Sequence, residues 1–156
     1  MTHQILQGQL NASGLRMAIV ASRFNQIIVD KLITGALDAL VRHGAKAADQ
    51  SVILVSGAWE IPIAVQRAAR TGKFDAIIPV GVVIKGATQH FEYVAGGANH
   101  GIMQASLSSN IPVTNGILTT NTLQEALERS GGTVGNYGYN SAVAAIETAN
   151  LLRQIE

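Results

Sequence analysis

The chain has 156 residues and a formal net charge of +1, so its length fits one domain and its charge balance offers no basic footprint for nucleic acid. Hydrophobic residues make up 47% and charged residues only 13%, about half the charged share of an average soluble domain. Because no apolar run approaches the roughly 20 residues of a membrane span, the apolar excess predicts burial against other copies of the chain. We therefore expect residues 1–156 to form a single domain that assembles into an oligomer.

Cysteine is absent, which excludes a disulfide framework, thiolate metal sites and a cysteine nucleophile. Residues 1–10 lack the basic and apolar parts of a secretory signal, so we expect a cytoplasmic protein. We expect the segment 1–13 to be flexible or to pair with a neighbouring subunit. Within it, residues 6–10 are a candidate extra strand with little partner signal of their own, and adding to a neighbour's sheet edge is one use for them.

Short apolar strands alternate with helix patterns through the first half of the chain. Residues 15–21 predict a buried strand, and apolar side chains recurring at steps of three and four residues predict a helix over 29–41. Residues 52–55 predict a second strand. A second helix over 61–69 follows, with Pro62 in its first turn.

The same alternation continues in the second half. Residues 76–84 form the longest apolar stretch, nearly continuous, as expected of a central parallel strand covered on both faces. Residues 91–107 have helix spacing, and residues 113–118 predict a fourth strand. A glycine-rich loop over 131–138 leads to a final helix around 143–152.

A helix start is predicted after the fourth strand. Thr119, Thr120 and Asn121 supply side chains that cap helices, and Gln124 lies three residues beyond Asn121 in capping-box position. A short helix over 123–127 is the expected result.

Alternating strands and helices predict a three-layer α/β/α sandwich with a central, mostly parallel sheet, because right-handed crossovers place helices on both faces. The strand order cannot be read from this pattern. In open sheets of this kind, ligands bind beyond the carboxyl ends of the strands. Four segments occupy those places, and they are residues 22–25, 56–60, 85–90 and 119–121.

The segment 81–88 has the glycine spacing of a phosphate-binding loop, and backbone N–H groups before a helix form an anion site. Ala87 stands where such a loop carries its lysine, which argues against triphosphate chemistry. Capture of a single phosphate and a plain tight turn are both compatible with this pattern.

His90 falls in the first turn of the helix that follows, where the helix dipole favours a neutral imidazole. That form suits a proton acceptor, although an exposed histidine at a helix end has the same pattern. His90 and Glu92 also have the spacing of a zinc-deaminase signature, but that signature needs cysteines, which the chain lacks.

Three other side chains each allow two interpretations. Phe24, between Arg23 and Asn25, suits stacking on a planar heterocycle better than a place in the core. Glu60 either offsets the dipole of the next helix or accepts hydrogen bonds from a polyol. Arg129, at the end of a short helix, is either a solvated surface cation or a phosphate contact.

Five motifs in this order resemble the lumazine synthases over residues 15–156. They are SRFN at Ser22, GAWEIP at Gly57, GVVIKGATQHFEYVA at Gly81, GILTT at Gly116, and ALERSG, which contains Arg129. The family condenses 5-amino-6-(D-ribitylamino)uracil with 3,4-dihydroxy-2-butanone 4-phosphate to 6,7-dimethyl-8-ribityllumazine, the penultimate step of riboflavin biosynthesis. The resemblance implies a flavodoxin-like fold, a transferase acting on small molecules, and no metal or organic cofactor.

The resemblance also implies a role for each matching residue. On the ribitylaminouracil side, Phe24 would stack on the pyrimidine, and the backbone of residues 82–84 would meet the ring edge. On the butanone phosphate side, His90 would transfer protons and Arg129 would clamp the phosphate. The remaining matches are Ala58, Trp59 and Glu60 for the ribityl chain, Val82, Val83 and Ile84 for the ring edge, and Ala87 and Thr88 for the phosphate.

Assembly follows from the same resemblance. Lumazine synthases place the pocket between adjacent subunits of a homopentamer, with the regions of Arg129 and Asn115 supplied by the neighbour. The family includes free pentamers, paired pentamers and hollow icosahedral capsids of sixty subunits, and the loop over 129–138 favours the capsid, which can enclose riboflavin synthase. No nucleic-acid or membrane partner is implied.

Some positions depart from the family pattern. Asn115 stands where a phenylalanine is common, and Thr133 and Tyr137 stand where lysines are common. Two alternatives therefore stay open at this point: a non-catalytic flavin- or lumazine-binding protein, and a shell-forming paralogue with a vestigial site. His90 and Arg129 favour the enzyme, because a pure binding protein needs neither.

Overall fold

The computed structural model describes residues 1–155. Its main sheet consists of the strands β1 Met17–Ser22, β2 Gln50–Val55, β3 Ala76–Ile84 and β4 Gly116–Thr120. The sheet is parallel, and its strand order is β2-β1-β3-β4. The helices are α1 Gln26–Arg42, α2 Ile61–Arg70, α3 His90–Ser109, α4 Leu123–Arg129 and α5 Tyr137–Leu152. A small antiparallel hairpin, β5 Ser130–Gly132 and β6 Gly135–Asn136, precedes α5. The predicted flavodoxin-like α/β/α sandwich is confirmed.

The central strand β3 explains the longest apolar run of the sequence. It pairs with β1 on one side and β4 on the other, and its residues 76–83 are buried. Ile78 and Val80 pack into the core layer of α1 and α5, whereas Ile77 and Val83 pack into the layer of α2 and α3. Because both faces are covered, nearly every position of this strand must be apolar.

The order of the strands creates a crevice between β1 and β3. After β1 the chain moves outward to β2, and after β2 it crosses back to place β3 on the opposite side of β1. Helix α1 lies on one face of the sheet and α2 on the other. Ligands in such sheets bind at this switch point, beyond the carboxyl ends of the strands.

Helix α4 begins at Leu123 as predicted, but its predicted N-cap is wrong by one residue. Thr122, not Asn121, is the N-cap: its Oγ1 accepts a hydrogen bond from the Glu125 N–H at 3.1 Å, and Glu125 Oε2 accepts one from the Asn121 N–H at 2.8 Å. Strand β4 continues through Thr120, which leaves Asn121 in the connection. Gln124 instead points its amide towards Glu128.

Two smaller expectations also change. The predicted strand over 113–118 begins at Gly116, with Val113 forming only an isolated bridge to Ile77. The predicted glycine-rich loop is largely the hairpin of β5 and β6, and Gly131 and Gly135 have positive φ angles that suit its tight reversal.

The N-terminal segment lies along α5. Within residues 1–155 it forms no strand, so the candidate strand over 6–10 is absent from the protomer's own sheet. Asn150 donates hydrogen bonds to the carbonyl oxygens of Gln9 at 2.6 Å and Asn11 at 2.9 Å, and Gln154 donates to that of Gln7 at 2.9 Å. Pairing of this segment with a neighbouring subunit stays a prediction.

Of the helices in residues 1–155, none has both the length and the apolar content of a membrane span.

Asp75 precedes β3, at the end of the sheet opposite the crevice, and it interacts with Arg16, just before β1, and with Arg153, just after α5. Its Oδ2 accepts a hydrogen bond from the backbone N–H of Arg16 at 2.7 Å, and its Oδ1 lies 3.3 Å from Nη2 of Arg16 and 3.8 Å from Nη2 of Arg153. Burial alone would raise the pKa of Asp75, but the hydrogen bonds from Arg16 and the positive charges of Arg16 and Arg153 outweigh it, so its pKa lies below the ordinary value.

This ion cluster gives the stability a pH dependence of known sign. Because the folded-state pKa of Asp75 is depressed, its contribution to the free energy of unfolding is fully present above the unfolded-state pKa of about 4. That contribution is lost as pH falls through the folded-state pKa. We expect Asp75→Asn to lower the free energy of unfolding at pH 7 by about 1 kcal/mol, since the arginines are half exposed. Denaturant unfolding from pH 7 to pH 3 should show the difference shrinking below about pH 4. Asp30→Asn, at an exposed carboxylate with no ion pair among residues 1–155, is the control; an equal loss there would contradict the assignment.

Candidate active site

A cavity of about 640 Å³ lies where β1, β2 and β3 end. The loop after β1, the turn after β2 and the turn between β3 and α3 each contribute to its wall. Three of the four segments expected at this edge therefore meet. The predicted residues that line the cavity are Phe24, Ala58, Trp59, Glu60, Val82, Val83, Ile84, Thr88 and His90.

Phe24 projects from a loop that the backbone holds in place. The N–H of Phe24 donates to the carbonyl of Ser56 at 3.1 Å, which binds this loop to the chain after β2. Asn25 follows in the left-handed conformation, with φ of 59°, and its carbonyl accepts the first bonds of α1 from Ile28 and Val29. The ring of Phe24 is nevertheless 70% exposed. An anchored backbone with an exposed ring is suited to stacking on a flat ligand.

The chain between β2 and α2 forms a single 3₁₀ turn, Ala58–Glu60. Ala58 is buried, whereas Trp59 and Glu60 are exposed at the cavity. Glu60 stands at the N-terminus of α2, yet its side chain makes no capping hydrogen bond to the helix. Its carboxylate therefore remains free to accept hydrogen bonds from a bound hydroxyl group.

The end of β3 offers backbone groups to the cavity. Its pairing with β1 stops at Val80, whereas its pairing with β4 continues to Ile84. The N–H of Ile77 donates to Pro112 and that of Lys85 to Thr120, so odd-numbered residues of β3 turn their backbone towards β4. By the alternation of a strand, Val82 and Ile84 turn theirs towards the cavity. The backbone N–H and carbonyl groups of Val83 face β4, so they are not available to a ligand in the cavity, although Val83 lines it.

The turn between β3 and α3 places a helix N-terminus at the cavity. Gly86, Thr88 and His90 line it and are exposed. Helix α3 is 20 residues long, and its first N–H groups carry the positive end of its dipole, which favours an anion. Thr88 Oγ1 accepts a long hydrogen bond from the His90 N–H at 3.4 Å. Ala87 lies between two lining residues but does not itself line the cavity.

Arg129 lies outside this cavity. It lines a second depression of about 340 Å³, together with Thr119, Tyr137 and Asn140. Its Nη1 donates to the carbonyl of Glu125 at 3.1 Å, and its side chain is 41% exposed. Of the fourth predicted segment, residues 119–121, only Thr119 lines this depression and none lines the first cavity, because β4 lies on the far side of β3 from the crevice.

Asn115 is also outside the cavity, and its amide is held within the chain. Its Oδ1 accepts from the Ile117 N–H at 3.0 Å, and its Nδ2 donates to Asn99 Oδ1 at 2.6 Å. Asn99 in turn donates to the Ala95 carbonyl at 2.7 Å. A backbone group of fixed polarity stands at each end of this relay, so the orientation of both amides is determined.

Sequence reasoning missed several lining residues. Phe91, Tyr93 and Val94 of α3 line the cavity beside His90. Tyr93 and Val94 lie three and four residues after His90, the spacing of one helix face, and this signal could have identified them.

The site combines an aromatic platform, a free carboxylate, unpaired strand backbone, a helix N-terminus and an imidazole. Together these can hold a flat polar ring with a hydroxylated chain beside an anion. Within residues 1–155, no three His, Asp or Glu side chains are placed together to hold a metal ion.

Comparisons with known proteins identify relatives over nearly the whole chain. The family model described as 6,7-dimethyl-8-ribityllumazine synthase matches residues 14–153. The 6,7-dimethyl-8-ribityllumazine synthase of Chlorobaculum tepidum is 48% identical, covering 97% of this chain and 98% of that protein. The protein of the same name from Aquifex aeolicus is 47% identical, covering 97% and 99%.

Proposed function

The chain belongs to the 6,7-dimethyl-8-ribityllumazine synthase family, and from that premise we propose how its cavity performs the family's reaction. The enzyme condenses 5-amino-6-(D-ribitylamino)uracil with 3,4-dihydroxy-2-butanone 4-phosphate, releasing phosphate and water, in riboflavin biosynthesis. It must bring an amine to a carbonyl carbon, hold a phosphate until it leaves, and move several protons.

The ribitylaminouracil binds across the crevice between β1 and β3. Phe24 stacks on the pyrimidine, and the backbone groups of Val82 and Ile84 hydrogen-bond to the ring edge. The ribityl chain runs along the turn Ala58–Glu60, where the Glu60 carboxylate accepts from its hydroxyl groups. The free carboxylate and the shortened pairing of β1 with β3 support this placement.

The butanone phosphate binds at the N-terminus of α3. The N–H groups of Ala87 and Thr88, with the helix dipole, hold its phosphate. His90, in the first turn of the same helix, lies beside the reacting atoms and transfers protons between the amine, the carbonyl oxygen and water. The phosphate-binding N–H groups and the His90 imidazole come from one turn, so the distance between the bound phosphate and the imidazole is fixed.

The complete site is shared between two subunits of a pentamer, with Arg129 and Asn115 supplied by the neighbour. Two observations support this. Arg129 faces a separate depression that does not include the turn between β3 and α3, and within residues 1–155 the first cavity has no arginine in its wall. Helix α3 also exposes the large side chains of Tyr93, Met103 and Leu107. Exposed apolar side chains along one helix are typical of surfaces that other subunits bury. We propose that such pentamers assemble further into a capsid.

The meeting of Phe24, Glu60 and His90 in one cavity is the observation that carries this function. Mixing the two substrates with the enzyme should produce the fluorescence of the lumazine product, and a native mass measurement should give a multiple of five subunits. A folded oligomer that binds the product but never forms it would instead indicate a non-catalytic binding protein.

A further inference from the structure

The indole of Trp59 lies against Gly97 in the middle of α3. A Cβ atom at Gly97 would lie 2.5 Å from Cζ3 of Trp59 and 3.3 Å from Cε3 and Cη2. Carbon atoms in contact are about 3.5–4.0 Å apart. The ring therefore occupies the space that any side chain at position 97 would need.

Gly101 provides a second close approach one turn later. A Cβ atom there would lie 2.6 Å from Cβ and 2.8 Å from Cγ of Pro62. Residues four apart share one face of a helix, so Gly97 and Gly101 form a notch in α3 that seats Trp59 and the start of α2. Apart from the backbone of α3 itself, no atom of residues 1–155 lies within 4 Å of where a Cβ atom at Gly96 would be.

We propose that Gly97 is a positioning residue for the reaction. By lacking a side chain it fixes the indole of Trp59 as a wall of the cavity, and with it the turn that carries Glu60. That the ribityl chain binds against this wall rests on the proposed function. Because Trp59 is 60% exposed, burial in the core does not hold its ring, and contact with α3 must do so.

The alternative is that Gly97 serves only helix packing. Glycine lowers helix stability relative to alanine, so alanine at either position 96 or 97 gives the same gain in helix propensity. At position 96 the new methyl group enters open space in the protomer, whereas at position 97 it meets the indole. Position 96 shares the face of α3 that carries Tyr93 and Met103, so the control also requires that the native mass of Gly96→Ala equal that of the wild type. Gly96→Ala is therefore a matched control, and any difference between the two variants reports the contact with Trp59.

Trp59 is the only tryptophan of the chain, so its emission reports the ring directly. We expect Gly97→Ala to shift the emission to longer wavelength and to increase quenching by acrylamide, because the ring loses its contact with α3. We expect the KM for ribitylaminouracil to rise about tenfold while the KM for butanone phosphate changes by less than about twofold, because only the ribityl wall moves. Gly96→Ala should leave the emission and both KM values unchanged.

A double variant keeps the inference testable if Gly97→Ala folds poorly. Phenylalanine at position 59 removes the clashing part of the ring. Gly97→Ala combined with Trp59→Phe should then fold and show the same KM for ribitylaminouracil as Trp59→Phe alone. A double variant that remains unfolded, or that retains the full effect of Gly97→Ala, would overturn the proposal.

Two further outcomes would also overturn it: emission and KM values in Gly97→Ala equal to those of Gly96→Ala, or a shifted emission without a change in KM. Failure of the proposed function is distinguishable, because a wild-type enzyme that makes no product contradicts that function alone. The emission comparison needs no substrate and still decides whether Gly97 positions Trp59.

Discussion

Replacing His90 by alanine is expected to lower kcat by about 10²- to 10⁴-fold while leaving measurable product formation. The physical reason is a difference in magnitude. A proton-transfer group contributes about 3–5 kcal/mol to lowering the barrier, whereas holding two substrates in register contributes about 7–11 kcal/mol. The cavity walls that we propose hold the substrates remain in this variant. Single-turnover measurement of product fluorescence is the direct test.

His100→Ala is the matched control for this variant. His100 lies on the same helix, is exposed in the protomer and does not line the cavity, so its removal should leave kcat unchanged in a variant whose native mass equals that of the wild type. A His90→Ala enzyme that works only at the uncatalysed rate, in a folded oligomer, would show that proton transfer rather than positioning dominates. Equal losses in both variants would place the effect in helix α3 as a whole.

Subunits carrying His90→Ala and subunits carrying Arg129→Ala are expected to regain activity when they assemble together. Alone, Arg129→Ala should raise the KM for butanone phosphate by about 10- to 150-fold, since an arginine–phosphate bond contributes about 1.5–3 kcal/mol. In a mixed ring, a site formed by an intact His90 of one subunit and an intact Arg129 of the next is complete. Random assembly of equal amounts makes about one quarter of the sites complete.

The mixture should be made by coexpressing the two variants with different affinity tags and measured at a low concentration of butanone phosphate. Separately assembled oligomers, mixed without exchange of subunits, serve as the control and should show no gain. If His90 and Arg129 of one chain formed the same site, every site would carry a defect, and coexpression would give no more than the average of the two variants.

Much of the fold could be predicted from local patterns. The continuous apolar run of β3 and the helix spacing of α1 and α2 gave these elements nearly their observed bounds. The N-cap of α4 could not be assigned, because two overlapping pairs, Asn121 with Gln124 and Thr122 with Glu125, both match a capping box. The extent of β4 decided between them, and that depends on its pairing with β3.

The candidate site was predicted at the carboxyl edge of the sheet, but which of the four segments at that edge meet in one cavity could not be predicted. Phe24, Glu60 and His90 could be identified as candidates because each is an unusual residue type for a segment that follows a strand, and residue type is a property of the local sequence. That Arg129 and Asn115 lie apart from them follows from the position of β4 on the far side of β3. Strand order depends on contacts between distant segments, which no local pattern contains.

The sequence by itself determined which segments are strands and helices and which chemical groups stand at their ends, because those depend on neighbouring residues. Only the tertiary structure decided which of these groups meet. The unequal pairing of β3 turns the backbone of Val82 and Ile84, but not that of Val83, towards the cavity. The approach of α2 to α3 likewise gives Gly97 its contact with Trp59. Both depend on how segments far apart in the chain are aligned, and that alignment is set by the packing of the whole core.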